Sequence, residues 1–138
     1  MNRDFAGLLK ERGVQPSAQR VAVASYVLTT AEHPTAETVW SRVKKHFPMI
    51  SRATVYNTLN LLTRKGLLRQ FVLVDGKTVF DANVGNHHHF IDKKTGRIYD
   101  IPWDALEVSR LESLGRFEVS DYHVVVRGRL KSSARRRG

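Results

Sequence analysis

Four stretches in the first 66 residues place their apolar side chains at helical spacing, three or four positions apart. They predict helices over about residues 4–12, 17–31, 36–46 and 51–66. Thr35 and Ser51 stand where a hydroxyl would cap the third and fourth helices, and Pro48 and Gly66 would end them. Short helices joined by tight turns are typical of a helix-turn-helix core.

The hydrophobic period changes after Gly66. Residues 68–74 and 77–81 are short β-prone runs joined at Asp75-Gly76, one of the strongest two-residue hairpin signals. A hairpin directly after a candidate recognition helix predicts a wing. Residues 1–81 are therefore predicted to form a winged-helix DNA-binding domain.

The rest of the chain predicts a small sheet with one helix. Strands are predicted at 88–92, 97–101 and 117–127, and a helix is predicted at 104–114. So small a unit buries little apolar surface by itself, so residues 82–128 are predicted to be an α/β domain that dimerises across a two-fold axis. The fold class is then α+β, with residues 129–138 as a basic, disordered tail.

The net charge of +10 is unevenly distributed. Residues 1–80 carry 12 Lys and Arg against 5 Asp and Glu, residues 81–128 carry 6 against 8, and the last ten residues add five basic side chains. A basic first half predicts an anionic partner. Nucleic acid, such as double-stranded DNA, is the commonest candidate, although an anionic membrane surface would attract the same charge. The chain has no signal-peptide core and no apolar run near the roughly 20 residues that cross a bilayer. A cytoplasmic protein with no membrane partner is expected.

Three of the six histidines stand side by side at His87-His88-His89. On a strand, His87 and His89 would share one face, with Cα atoms about 7 Å apart, and His88 would point to the other. Two imidazoles on one face can share a metal ion if further ligands converge, whereas an exposed histidine run explains these residues equally well. Because the chain has no cysteine, metal ligands must be His, Asp or Glu.

The chain resembles the ferric uptake regulator superfamily over nearly its whole length. The matching residues are, in chain order, Pro16, Gln19-Arg20, His33-Pro34-Thr35-Ala36, Ser51-Arg52-Ala53-Thr54-Val55-Tyr56-Asn57-Thr58-Leu59, Lys65-Gly66, Phe80-Asp81, His87-His88-His89, Gly96 and Asp100. The resemblance implies a homodimeric transcriptional repressor, not an enzyme, that binds a palindromic DNA operator under the control of a metal ion.

The resemblance places the family's regulatory metal site on His33, Asp81, His87, His89 and Asp100. Three imidazoles and two carboxylates suit Fe²⁺, Mn²⁺ or Zn²⁺ better than calcium or copper(I), with one ion expected per subunit. The first two ligands fall in the DNA-binding domain and the other three in the second domain. One ion would lock both domains in the orientation in which the two recognition helices of a dimer reach successive major grooves.

Two other metal sites of the family match less well. A second site would fall on His88, Glu107 and His123. Relatives often have Asp at position 88, and Tyr122 stands where they place the last histidine; a one-residue shift on a strand would turn His123 to the other face. The structural zinc that most relatives hold with two CxxC pairs is expected to be absent, since Asp92 and Thr95 occupy the first pair's positions.

Two branches of the superfamily compete. Asp at position 100 resembles the peroxide-sensing branch, in which bound ferrous iron reacts with peroxide and ligating histidines, here His33 and His87, are oxidised. The segment 80–90 resembles the iron response regulator branch, which also lacks the CxxC pairs and whose triple histidine is implicated in haem sensing. Peroxide and iron or haem status both remain open as the signal, with haem as an alternative cofactor.

DNA contacts are expected on the fourth helix and on basic side chains around it. The helix would reach bases or phosphates with Ser51, Arg52, Thr54, Tyr56 and Asn57. Lys10 and Arg20 are expected to contact phosphates, and Lys77 on the wing to enter the flanking minor groove, although each cation taken alone is more often a solvated surface charge. Trp40 and Trp103 are assigned to packing.

Two other classes of function stay open. A metal-independent winged-helix protein with incidental histidines predicts that alanine at His87 and His89 leaves DNA affinity unchanged. A metallohydrolase would make the cluster a hydrolytic centre, but the chain lacks an HExxH helix, a nucleophile elbow and a phosphate-binding glycine loop. Five ligands would also leave little coordination space for a substrate.

Overall fold

The computed structural model of the protein describes residues 4–132, so Arg135, Arg136 and Arg137 of the predicted tail lie outside the described residues. The chain divides into two compact units, one up to Val84 and one from Gly85. The first contains α1 (Phe5–Glu11), α2 (Ala18–Val27), α3 (Ala36–Lys44), α4 (Arg52–Arg64), β1 (Arg69–Val72) and β2 (Thr78–Asp81). The second contains β3 (His87–Asp92), β4 (Ile98–Pro102) and β5 (Val125–Gly128). The predicted α+β class is confirmed, and none of the described helices has the length and apolar character to cross a membrane.

Each of the four helices begins at a side chain that accepts a hydrogen bond from the backbone N–H three residues further on. The caps of α1 to α4 are Asp4, Ser17, Thr35 and Ser51, at 2.8, 3.2, 3.2 and 3.0 Å. Such a bond satisfies one of the N–H groups that the first helical turn leaves without an intrahelical partner. The predicted caps Thr35 and Ser51 are confirmed.

The apolar faces of the helices converge on one buried core in the first unit. Val23, Val39 and Leu59 are fully buried there, on α2, α3 and α4. Phe80 of β2 joins this core, and its N–H donates to the Pro34 carbonyl at 2.9 Å. The end of the wing is therefore tied to the turn that precedes α3.

The wing is an antiparallel hairpin of β1 and β2. The Leu73 N–H donates to the Lys77 carbonyl at 2.7 Å and the Gly76 N–H to the Leu73 carbonyl at 2.9 Å, which closes a three-residue loop. Gly76 has φ 88°, the left-handed conformation that follows a type I turn in such loops. The predicted hairpin is confirmed, but its loop contains one residue more than the expected Asp75-Gly76 turn.

The sheet of the second unit has the order β4-β3-β5. β3 pairs antiparallel with β4, with His89 opposite Asp100, and parallel with β5, with His89 opposite Val125. The triple histidine thus lies on the central strand of the sheet. Both predicted strands of the second hairpin are confirmed.

The helix predicted over residues 104–114 is wrong. This segment contains two single 3-10 turns, Trp103–Ala105 and Leu111–Ser113. Arg110 between them has φ 67°, a left-handed conformation that interrupts an α-helix. A helix of this length is marginal unless its apolar stripe is buried, and Leu106 and Leu114 remain exposed in this unit.

The strand predicted over residues 117–127 is also largely wrong, because only its end pairs as β5. Phe117 and Val119 are exposed, so the apolar pattern that suggested a strand is not buried against this unit's own sheet. Pairing begins where the Val124 carbonyl accepts a hydrogen bond from the His89 N–H at 3.0 Å.

The turn between β3 and β4 is held by the two residues that replace the first cysteine pair. The Lys94 N–H donates to Asp92 Oδ1 at 2.9 Å, and the Thr95 hydroxyl donates to Asp92 Oδ2 at 3.0 Å. The Arg97 N–H in turn donates to the Thr95 hydroxyl at 3.1 Å. The hydrogen bond from Lys94, more than any other interaction, lowers the pKa of the Asp92 carboxyl.

We expect Asp92→Ala to lower the thermal midpoint of the second unit at pH 7, because it removes the two carboxylate oxygens that accept from Lys94 and Thr95. The folded pKa of Asp92 lies below its unfolded value, so its contribution is present above about pH 4 and is lost as the pH falls through the folded pKa. The difference between wild type and Asp92→Ala should shrink over that range. Trp103 fluorescence in a Trp40→Phe background reports the transition.

Lys93→Ala is the matched control, since this exposed neighbour in the same turn keeps its backbone bond to the Gly128 carbonyl. A midpoint difference for Asp92→Ala that stays constant from pH 7 to pH 2 would contradict the assignment.

Candidate metal ligands and nucleic-acid interface

In the second unit, β3 and β4 bring together three of the predicted metal ligands. His87 Nε2 and His89 Nε2 lie 3.5 and 3.7 Å from the same atom, Asp100 Oδ1. Both imidazoles are buried, whereas the Asp100 side chain is 37% exposed. The strand places them there because residues two apart share a face and Asp100 is the cross-strand partner of His89.

The His87 ring is already oriented as a metal ligand would be. Its Nδ1 lies 2.7 Å from the Gly85 carbonyl, which can only accept, so in the neutral ring Nδ1 carries the proton and Nε2 keeps its lone pair. Metal-binding histidines typically donate their second ring N–H to a carbonyl or carboxylate in this way. The donor set of His87, His89 and Asp100 therefore fits a divalent transition metal.

In the first unit, the other two predicted ligands form a buried pair. His33 Nε2 lies 3.2 Å from Asp81 Oδ2, and both side chains are more than nine-tenths buried. Asp81 ends β2, and its Oδ1 accepts a hydrogen bond from the Asn83 N–H at 2.9 Å. The Phe71 ring meets His33 edge to face at 6.5 Å. An imidazole and a carboxylate in this arrangement offer one nitrogen and one oxygen ligand.

His88 is a packing residue in this structure. It is 1% exposed, and its Nδ1 accepts a hydrogen bond from the Val124 N–H at 2.9 Å. The ring stacks on Trp103 with centroids 4.6 Å apart and planes 16° apart, and Trp103 contacts Tyr122 at 4.9 Å. Trp103, the predicted packing residue, thus packs against His88 and Tyr122.

The residues of the expected second metal site are not brought together. The His123 ring lies 5.5 Å from His89, on the sheet face opposite His88. Glu107 is exposed in the irregular segment after the first 3-10 turn. Tyr122 lies beside His88, at 6.5 Å between ring centroids, so the one-residue shift does separate His123 from His88, although neither Tyr122 nor His123 belongs to β5.

The predicted DNA contacts on α4 differ in whether their side chains already bond to other residues of the protein. The hydroxyls of Ser51 and Thr54 lie 3.0 Å apart within the helix cap. Arg52 pairs with Glu37 of α3. Tyr56 is 43% exposed and Asn57 is exposed as well, which leaves their side chains available to a ligand.

The predicted phosphate contacts lie outside α4. Lys10 is exposed on α1, and Lys77 is exposed directly before β2, the returning strand of the wing. One Nη of Arg20 donates to the Gln15 carbonyl at 2.9 Å, so this side chain also holds the turn before α2.

A cleft of about 420 Å³ separates α4 from the wing within the first unit. Tyr56 and Lys77, both predicted DNA contacts, line it together with Glu37, Asn60 and Gln70. Sequence reasoning missed the last three. Asn60 lies one turn of α4 beyond Tyr56, so helical periodicity alone would have found it.

The ferric uptake regulator family matches this chain over residues 11–127. The peroxide-responsive repressor PerR of Staphylococcus aureus (strain USA300) is 32% identical over 122 residues, which cover 87% of this chain and 82% of that protein. A zinc-bound manganese uptake regulator has a similar structure, with a TM-score of 0.70 and 25% identity over 94% of this chain and 100% of that one. The Campylobacter jejuni peroxide stress regulator has a TM-score of 0.67 and 27% identity over 94% of this chain and 98% of that one.

These likenesses extend across both units and include the strands that carry the histidine cluster. The solved relatives share the fold, and the peroxide-responsive repressor shares nearly a third of its aligned residues. The chain therefore belongs to the ferric uptake regulator family.

Proposed function

We propose that this protein is a metal-dependent transcriptional repressor whose DNA affinity is set by one divalent ion bound to His33, Asp81, His87, His89 and Asp100. The observation that carries the proposal is the convergence of His87 and His89 on one oxygen of Asp100, with the His87 ring held by a backbone carbonyl. Members of this family are regulators rather than enzymes, and we assign the same role to this chain.

The ligand set explains how a metal would act on DNA binding. Two of the five ligands belong to the first unit and three to the second. An ion that takes ligands from both would favour one arrangement of the units, and its differential affinity for that arrangement is the coupling energy. Fe²⁺, Mn²⁺ and Zn²⁺ all accept mixed imidazole and carboxylate ligands.

We assign residues 1–81 to DNA binding and residues 82–128 to dimerisation and metal binding. The basic charge of the chain up to residue 80 supports the first assignment. α4 would lie in the major groove of a palindromic operator. Its predicted contacts are Ser51, Arg52, Thr54, Tyr56 and Asn57, with Lys10, Arg20 and Lys77 on the flanking backbone.

The signal we propose is peroxide. The relative from Staphylococcus aureus is a peroxide-responsive repressor, and both carboxylate ligands here are Asp. Fe²⁺ held by these residues would supply the redox chemistry by which hydrogen peroxide transfers one oxygen atom to a ligating imidazole, with the other oxygen leaving as water. His33 and His87 are the expected targets, and their oxidation would weaken both halves of the ligand set.

The test is anaerobic DNA binding at fixed salt, with the promoter region of the protein's own gene as the probe. Mn²⁺ and Fe²⁺ should each tighten binding about 5- to 150-fold over the apo protein, the usual range of coupling between two sites. Brief peroxide exposure should abolish binding irreversibly for the Fe²⁺ protein and leave the Mn²⁺ protein unchanged. Mass spectrometry should place one added oxygen on His33 or His87.

Other outcomes of this experiment point to the alternatives. Equal binding with and without metal would favour a metal-independent winged-helix protein. Release of DNA by added haem, with no effect of peroxide, would identify a sensor of iron or haem status.

Alanine at His87 or His89 should lower Mn²⁺ affinity by more than the roughly 10- to 100-fold that loss of an outer-shell partner costs, because a ligand itself is removed. Metal-dependent DNA affinity should fall to the apo level. Isothermal titration with Mn²⁺ measures the first effect and anisotropy of labelled promoter DNA the second. His46→Ala is the control, since this exposed histidine follows the C-terminal end of α3, whereas the ligand His33 precedes the N-terminal end of that helix. Unchanged Mn²⁺ affinity in the His87 and His89 variants would disprove the assignment.

We also propose that the second unit dimerises through an apolar patch formed by Leu114, Phe117 and Val119, which line one cavity of that unit. All three side chains are exposed, and Phe117 is 64% exposed. Contiguous apolar side chains at a protein surface typically mark an interface. A partner subunit on this patch would supply the burial that the irregular segment around it lacks.

Phe117→Glu should dissociate the dimer. Burial of a Phe side chain contributes about 1.5–3 kcal/mol, and the substituted carboxylate would in addition have to be desolvated. Sedimentation velocity measures the change. Val74→Glu is the matched control, because Val74 is equally apolar and 79% exposed but lies at the tip of the wing; a Phe117→Glu protein that sediments as the wild type does would place the interface elsewhere.

A further inference from the structure

Arg52, the first residue of α4, is held on two sides by α3. Its Nε donates to Glu37 Oε1 at 2.7 Å, and its guanidinium carbon lies 3.9 Å from the centroid of the Trp40 ring. Glu37 and Trp40 are three positions apart on α3 and so share a face of the helix. One turn of α3 therefore determines where the guanidinium points.

The support itself is rigid. Trp40 packs against the buried core, and its Nε1 donates to the Ile50 carbonyl at 3.0 Å. That bond ties α3 to the residue directly before the cap of α4. Because an arginine side chain has many rotamers, fixing it before DNA arrives reduces the entropy lost when it binds.

The geometry leaves the end of the guanidinium free for recognition. Glu37 accepts from Nε, so the two terminal Nη groups keep their donors, and the Arg52 and Glu37 side chains are 57% and 54% exposed. A pair of arginine N–H groups that binds guanine O6 and N7 is the commonest specific contact in the major groove. The Glu37 carboxylate also neutralises the charge of Arg52, which lowers the sequence-independent attraction of the guanidinium to phosphates.

We propose that Glu37 and Trp40 are positioning residues that make Arg52 a base-reading side chain and suppress its non-specific attraction to DNA. This inference rests on the proposed function as a DNA-binding repressor. The pair is too exposed to matter much for folding, since surface ion pairs contribute little to stability. Its effect is on specificity, the difference between the affinities for the operator and for other DNA.

The experiment compares variants of the full Mn²⁺-loaded chain on two duplexes at fixed salt. One duplex is selected from a random pool by the wild-type protein, and the other is a shuffled sequence of the same composition. Arg52→Ala and Glu37→Ala should each lower the ratio of selected to shuffled affinity about tenfold, the effect of losing one bidentate base contact. Glu37→Ala should also bind the shuffled duplex more tightly than the wild type does.

Two further variants separate orientation from charge. Glu37→Gln removes the charge but keeps an oxygen that accepts from Nε, so its ratio should stay well above that of Glu37→Ala. In the double variant Glu37→Ala/Arg52→Ala, the ratio should equal that of Arg52→Ala alone, because Glu37 acts through Arg52.

Glu32→Ala is the matched control. Glu32 pairs with Arg42 of α3 at 3.7 Å, and the two side chains are 55% and 47% exposed, so this is a surface ion pair of the same unit that does not involve α4. Its loss should leave the ratio unchanged, and circular dichroism verifies that all variants keep their helices.

The outcomes distinguish this inference from the proposed function. A wild-type protein that prefers no duplex would overturn the proposed function and this role of Glu37 with it. A wild type that discriminates, together with a Glu37→Ala variant that discriminates equally well, overturns the positioning role alone. If the losses of specificity in the two single variants add in the double variant, the positioning role is also overturned, because Glu37 would then act independently of Arg52.

Discussion

Strand alternation in β3 separates two candidate metal ligands from a packing residue among three consecutive histidines. His87 and His89 project to one face, where both approach Asp100 on the neighbouring strand. His88 projects to the other face, where it accepts a backbone hydrogen bond and stacks on Trp103. A slip of one residue in this strand would exchange the two roles, so the pairing of β3 with β4 and β5 is what keeps the ligand set together.

α3 has a comparable double role in the first unit. The turn before it carries His33, which pairs with Asp81 because the Phe80 N–H ties the end of β2 to the Pro34 carbonyl. Its exposed face carries Glu37, which holds Arg52 at the start of α4. A candidate metal ligand and the support of a candidate DNA-reading side chain therefore lie four residues apart in the chain, one in the turn before α3 and the other in the first turn of that helix. The two proposed sites are thus joined by one short segment of the first unit.

Side chains close the turn between β3 and β4 at the two positions where the family resemblance places a cysteine pair. Asp92 and Thr95 bond to each other and to the backbone of this turn. A carboxylate that accepts hydrogen bonds from several N–H and O–H groups can hold a single hairpin turn together, as a bound metal ion would. The replacement leaves His87, His89 and Asp100 undisturbed, since they lie at the other end of the two strands.

The local features of this protein were readable from the sequence, because they depend on residues close together in the chain. Helix caps such as Thr35, the wing hairpin and the alternation of the three histidines are of this kind, and the resemblance to a known family added the assignment of distant ligands. The structure alone decided the features that depend on packing. The helix expected over 104–114 is absent from the described unit because nothing there buries its apolar stripe. The ion pair between Glu37 and Arg52 joins residues fifteen positions apart, so it depends on how α3 packs against α4.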